Sequence, residues 1–255
     1  MKEKQDQFSI RTPEYLETFQ PFRDSLSLSQ IKNAVQDYVR DRIGSFICLD
    51  SMAGTGIVGR ELKYIFERLQ IIFQDKSEKM LNSFCYSNED KRILSDAAAT
   101  GIAGNTIDMV FCRVGLNNVG KGDYPKIMRE YIRIMRNDGL GILQDHFAVS
   151  EGAKNVINKI ETEVAKIEGR KDKTYIPTVG ELGYLIRKAG GEIDNIQSIE
   201  IKFSLRDRFK SKGINNPDLS AISEILKGQD SIKYEEKDGD IFLVYPIITV
   251  TFQRV

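Results

Sequence analysis

The chain reads as an α/β protein built on a mostly parallel sheet with helices on both faces. Three observations lead there. Short apolar runs alternate with helical patterns at short intervals from residue 46 to residue 143, which is the rhythm of parallel βαβ units. The runs themselves, such as Phe46-Ile47-Cys48-Leu49, are nearly continuous, as strands covered on both faces require. The length, 255 residues, suits one domain with a single sizeable core.

The elements follow in order. Leu28, Ile31, Val35, Tyr38, Val39 and Ile43 repeat at helical spacing, with Ser27 and Gln30 as a capping-box pair and Gly44 as a stop. The first strand is Phe46 to Leu49, and Ile57 to Leu69 is helical. Ile71 to Phe73 is the second strand, and Ser77 caps a helix through Met80, Leu81 and Phe84. Ile93-Leu94 and Ile107 to Cys112 are the third and fourth strands. A helix from about Tyr124 to Met135 carries Pro125 in its first turn, where the missing N–H costs nothing. Asn137-Asp138-Gly139 is a turn, and Leu140 to Leu143 a fifth strand. Residues 151–168 form an amphipathic helix, and Thr178 and Glu181 open another that ends at Gly190-Gly191. Ile199 to Leu205 alternates with period two, and Ile241 to Phe252 is a long strand in which Pro246 demands a bulge, an edge or a break.

Composition excludes several classes. Lys plus Arg and Asp plus Glu both number 37, so the zero net charge weighs against a dedicated nucleic-acid binder. No run reaches the roughly eighteen apolar residues of a membrane span, and the start, MKEKQDQFSI, has no apolar signal core. Three scattered cysteines, Cys48, Cys85 and Cys112, make neither a disulfide framework nor a zinc spacing and fit a reducing, cytoplasmic setting. One histidine, His146, excludes metal sites built on several; no metal site is expected.

Four segments carry chemistry. In Asp50-Ser51-Met52-Ala53-Gly54-Thr55-Gly56, a strand runs through a glycine turn into a helix. Gly54 and Gly56 either admit a ligand to the backbone or serve a tight βα turn. Asp75, at the tip of the second strand, lies 25 residues after Asp50 (75 − 50), where α/β folds read ribose hydroxyls; a helix cap is the other reading. Asp96-Ala97 follows the third strand, where an acid can accept from an adenine amino group or simply end a loop. Ile107 to Arg113, then Val114 to Val119, carries polar residues out of the carboxyl end of the fourth strand.

These four segments in this order resemble the class I S-adenosylmethionine-dependent methyltransferases, above all the small-molecule group around the ubiquinone/menaquinone biosynthesis methyltransferases. The resemblance covers residues 44–147 well, and 176–205 and 241–255 loosely. It implies a Rossmann-like class I methyltransferase fold: seven strands in the order 3-2-1-4-5-7-6, the last antiparallel, helices on both faces and a small helical cap. It implies S-adenosyl-L-methionine as cofactor, S-adenosylhomocysteine as product and a small-molecule acceptor methylated on O, N or C. Asp50, Met52, Ala53, Gly54, Gly56, Asp75, Lys76, Met80, Asp96, Ala97 and Arg113 then bind the cofactor. Tyr15, Phe19, Asn117, Asn118 and Phe147 line the acceptor site, and His146 or Asp145 is the candidate base. His146 is the only side chain whose ordinary pKa, about 6.5, lies near neutrality. Two positions depart from the family pattern: Met52 stands at the first glycine of the turn, and Asn117-Asn118 replaces the common histidine pair.

One domain over 1–255 is expected, as a monomer or homodimer. It divides into lid helices over 1–43, a cofactor-binding half over 44–147, a cap insertion over 148–175 and a C-terminal half with a variable insertion over 206–240. That insertion holds Arg206-Asp207-Arg208-Phe209-Lys210-Ser211-Lys212, either a solvated loop or a nucleic-acid surface with one aromatic. The alternatives to small-molecule methylation are an RNA or DNA methyltransferase, and a cofactor-binding protein of this fold without methyl transfer.

Overall fold

The computed structural model describes residues 25–82, 89–170 and 174–255. Tyr15, Phe19, Phe22, Phe84 and Cys85 lie outside the described residues. Along the chain run α1 (Ser25–Arg40), β1 (Phe46–Ser51), α2 (Ile57–Ile65), β2 (Leu69–Asp75), α3 (Glu78–Leu81), β3 (Lys91–Leu94) and β4 (Ile107–Arg113). Then come α4 (Tyr124–Ile134), β5 (Met135–Asp145), α5 (Glu151–Ile167), α6 (Val179–Ala189), β6 (Gly191–Ser204), α7 (Leu205–Lys210), α8 (Ser220–Leu226), β7 (Lys233–Lys237) and β8 (Asp240–Arg254).

The sheet order is β3-β2-β1-β4-β5-β8-β6. The strands from β3 to β5 pair in parallel, and β8 is antiparallel to both β5 and β6. This is the seven-stranded order, with one antiparallel strand, expected of class I methyltransferases. The short strand β7 adds an eighth member, paired with the first half of β8 through the Asp238-Gly239 turn. Pro246 falls in β8 between Val244, the last residue paired with β7, and Ile248, the first paired with β5. There β8 has a neighbour on one side only, which is where a strand tolerates the missing N–H.

Alternate residues of each central strand feed opposite faces. Leu49, Val110, Cys112 and Leu143 pack under α4 and α6. Cys48, Met109, Phe111 and Ile142 pack under α1 and α2. A further core joins α5, α7 and α8 to Phe203, Leu243 and Tyr245 of the β6–β8 pair.

Several local expectations need correction. Helix α1 extends to Ser25, and the Ser27 hydroxyl accepts from Arg113 while Gln30 accepts from Thr249, so tertiary partners displace the capping box. Asn137-Asp138-Gly139 lies inside β5 as a bulge: Ile107 pairs with Met135 and Met109 with Leu140. β6 begins at Gly191, eight residues before its alternating stretch, because the polar segment pairs with β8. The basic stretch 206–212 is not a solvated loop. Phe209 is in the core, Arg208 forks onto Glu161 at 2.7 and 2.8 Å, and Lys212 reaches Glu168 at 2.5 Å.

Candidate functional site

Five strand ends stand side by side in the order β3, β2, β1, β4, β5 and present Asp96, Asp75, the 52–56 turn, Arg113 and Asp145. The parallel neighbours β1 and β4 mark the point where the strand order reverses, with β2 and β3 to one side and β5 to the other, and it is outside the strand ends at such a point that α/β proteins bind ligands in a crevice.

The turn after β1 needs left-handed backbone three times. Met52 has φ 54°, Gly54 56° and Gly56 72°. At Gly54 the space a Cβ would take is open, with only the Met80 Cε as close as 3.9 Å. The Asp75 carboxylate holds this turn: one oxygen accepts from the Gly54 N–H at 2.8 Å and the other from the Ser77 N–H at 2.9 Å. Of the two readings of Asp75, the loop brace is formed by these bonds.

Asp50 faces the other way. It is buried and accepts from the Gly59 N–H in α2 at 3.0 Å; burial pushes its carboxyl up to about 8. It steadies the helix below the turn. Asp96 is exposed, accepts from the Ala98 N–H at 2.8 Å, and leaves its neighbour Ala97 buried. Lys76 is exposed and Met80 buried.

Met52, the departure from the glycine pattern, turns its side chain into the core under α4. It lies so close to Gly115 that a Cβ there would stand 2.7 Å from the Met52 Cβ and 2.9 Å from its sulfur. Gly115 has φ −108°, a backbone any residue adopts, so the space filled by Met52 and by the Cys112 sulfur, 2.9 Å from such a Cβ, is what demands glycine there. The volume added at 52 is compensated by the glycine at 115. Between them Val114 has φ 52°, a strained value for a β-branched residue of the kind that gathers at ligand sites.

On the other side of the crevice, Arg113 donates to the Gln144 side chain at 2.8 Å and to Ser27 at 3.1 Å, tying β4 and β5 to the start of α1. Asn117 and Asn118 form a short 3-10 turn after β4. The Asp145 carboxylate accepts from the Asn117 N–H at 2.9 Å and the His146 N–H at 2.8 Å, and burial pushes it up to about 7. The His146 ring goes to the α5–α7 core instead. It lies 5.7 Å from the Tyr245 ring and 6.3 Å from Phe203 and bonds the Pro246 carbonyl; burial holds it down to about 4. Phe147 is 1% exposed and packs in the core with Tyr124 and Leu182 rather than on a pocket wall.

The sequence reading gave no role to Gln74, Ser51 and Tyr131, which are buried and linked beneath the turns. An amide inside an otherwise apolar strand, Ile71-Ile72-Phe73-Gln74, is the signal that marks them.

Comparison with known proteins fits this geometry. Residues 49–143 match the family described as a methyltransferase domain. Among solved structures, the YcgJ protein of Bacillus subtilis is 16% identical over 91% of this chain and 100% of its own, with a TM-score of 0.72. Phosphoethanolamine N-methyltransferase 2 of Haemonchus contortus, in complex with phosphomonomethylethanolamine and S-adenosylhomocysteine, is 14% identical over 89% of this chain and 52% of its own, TM-score 0.54. The [4+2]-cyclase SpnF is 14% identical over 88% and 80%, TM-score 0.55. No curated protein matches the sequence. The chain thus has the class I methyltransferase fold, and its crevice-forming segment, 49–143, matches the methyltransferase domain family.

Proposed function

We propose that the protein transfers the methyl group of S-adenosyl-L-methionine to an O, N or C atom of a small-molecule acceptor by in-line displacement, releasing S-adenosylhomocysteine. The observation that carries this reading is the Gly54 turn, open above its backbone and braced by Asp75 at 2.8 Å. In this reading the 52–56 turn takes the methionyl part, Asp75 the ribose and Asp96-Ala97 the adenine. Lys76 and Met80 flank the ribose and the turn, and Asp50 acts from beneath through α2. The sulfonium donor is already activated, since its leaving group is a neutral thioether.

The chain's own contribution is alignment, a proximity effect. Asp145 holds the Asn117-Asn118 turn over the crevice through the Asn117 N–H, and Arg113 fixes the neighbouring wall. His146 is neutral near pH 7 and packed in the cap core, so the reading gives it a packing role and not that of a base. Tyr15 and Phe19 precede α1, whose start is tied to the crevice through Ser27, and complete the acceptor site. The elements α5, α7 and α8 form the cap.

The resemblance of residues 44–147 to the quinone-biosynthesis group and the small-molecule complex of the nematode enzyme support a small-molecule acceptor. The neutralised Arg208 and Lys212 and the buried Phe209 weigh against a nucleic-acid face. No described helix is long and apolar enough to cross a membrane. We place the protein in the cytoplasm, as a monomer or homodimer. One similar fold is a cyclase, which keeps a second reading in view: cofactor binding without methyl transfer.

Calorimetry with S-adenosylhomocysteine, followed by incubation of the methyl-labelled donor with small-molecule and RNA fractions of a cell extract, tests the reading. Binding with label in the small-molecule fraction is expected. No binding overturns it; binding without transfer selects the second reading; label in RNA moves the acceptor class.

A further inference from the structure

Gln74 is fully buried at the end of β2, one residue before Asp75. Its side-chain oxygen accepts from the Ser51 hydroxyl at 2.7 Å and from the Met52 N–H at 3.2 Å. Its side-chain nitrogen donates to the Ser95 carbonyl at 2.6 Å. Its backbone carbonyl accepts from the Ala53 N–H at 2.9 Å. Ser51 in turn accepts from the Tyr131 hydroxyl of α4 at 2.8 Å. A single residue therefore touches the turn after β1 at three consecutive positions and the end of β3 just before Asp96.

The partners determine the amide's orientation. The Met52 N–H can only donate and the Ser95 carbonyl can only accept, so a flipped amide would set donor against donor and acceptor against acceptor. Few side chains present an acceptor and a donor on one rigid plane at this reach. An ionised glutamate has the acceptors and lacks the donor. An apolar residue of the same volume would leave the Ser51 hydroxyl, the Met52 N–H and the Ser95 carbonyl without this partner.

We infer that Gln74 is a positioning residue for the cofactor site, setting the spacing between the β1 turn that takes the methionyl part and the β3 end that takes the adenine. This rests on the functional reading above. It gives the amide a task distinct from that of Asp75: Asp75 faces the ligand, and Gln74 holds the two walls on either side of it at one separation. Tyr131 carries the restraint on into α4.

The test compares wild type, Gln74→Met and Gln74→Glu, each checked by thermal melting and titrated calorimetrically with S-adenosylhomocysteine from pH 5 to 8. Gln74→Met is expected to bind about 10- to 100-fold more weakly, since the Ser51 hydroxyl, the Met52 N–H and the Ser95 carbonyl lose their bonds to the amide. In Gln74→Glu the protonated carboxyl restores the donor to the Ser95 carbonyl, and ionisation removes it and sets oxygen against oxygen. Its affinity relative to wild type should therefore recover as pH falls and drop as pH rises. Asp50, Asp75 and Tyr131, the ionisable groups nearby, are present in both proteins, so the ratio to wild type isolates the introduced carboxyl. A folded Gln74→Met with wild-type affinity overturns the inference and leaves the functional reading standing. Where Gln74→Met fails to fold, a pH-independent Gln74→Glu ratio overturns it alone. Wild-type protein that binds no S-adenosylhomocysteine overturns the functional reading, and the inference with it.

Discussion

Asp75 accepts from the Gly54 and Ser77 N–H groups with its two oxygens and stands at the end of β2, beside the turn after β1. Removing it deletes charge-assisted bonds worth roughly 1.5–3 kcal/mol. Asp75→Ala should weaken S-adenosylhomocysteine binding by about 10- to 150-fold in calorimetry, with the protein folded. The Met52–Gly115 contact makes a second prediction at this scale. A Cβ at 115 would stand 2.7 Å from the Met52 Cβ and 2.9 Å from the Cys112 sulfur. Gly115→Ala should therefore destabilise by about 1–3 kcal/mol in urea unfolding. Placed in a Met52→Gly background, the same change should cost less, because of the two neighbours that fill the space only the Cys112 sulfur is left. Additive effects in the double mutant would show that the two positions do not share that space.

Helix α5 is joined to α7 by buried charge. Glu161 takes the fork of Arg208, and Glu168 takes Arg170 and Lys212. The Arg208 pair holds Glu161 down to about 2 against the opposing effect of its burial. Glu161→Ala leaves the Arg208 guanidinium without its main partner between α5 and α7. Breaking such a pair from one side costs about 3–5 kcal/mol. The measurement is urea unfolding of wild type and variant; a loss below about 1 kcal/mol would mean that the cap core relaxes around the gap. At the start of α6 both halves of the capping box form between Thr178 and Glu181, as their spacing implies.

Over the whole molecule, buried titratable groups set opposing slopes of stability with pH. Asp50 and Asp145 are raised to about 8 and about 7 by burial. A raised carboxyl keeps its proton in the fold, so its contribution is full below the ordinary value near 4 and is lost as pH rises through 7 to 8. His146 is lowered to about 4, so its contribution is full above about 6.5 and is lost as pH falls toward 4. Glu130 and Glu161, both lowered to about 2, lose theirs only below about 4.5. Melting temperature should therefore fall from about pH 6.5, where His146 no longer opposes the two carboxyls, to about pH 8 and level off above it, and Asp145→Asn should flatten the part of that decline up to about pH 7. An unchanged slope in the variant would show that Asp145 does not titrate in this window.

The sequence by itself determined the architecture of the sheet and the row of acids along it. Continuous apolar runs, glycines at 54 and 56, and acids at 75 and 96 are local signals, because a buried strand or a left-handed turn restricts the residues that occupy it. Only the tertiary structure decided where side chains face. Ser27 and Gln30 spell a helix cap and instead bond Arg113 and Thr249, since partners more than eighty residues away compete with the local one. The 206–212 stretch spells a solvated loop and folds into a core helix, because Glu161 and Glu168 arrive from α5 and its end. His146 follows the strand end where a base would stand, yet its ring packs on Tyr245 and Phe203. Met52 is a departure when the turn is read alone and fits once Gly115 is placed beside it. Each of these contacts joins residues far apart in the chain, and the pattern around either member carries no trace of the other.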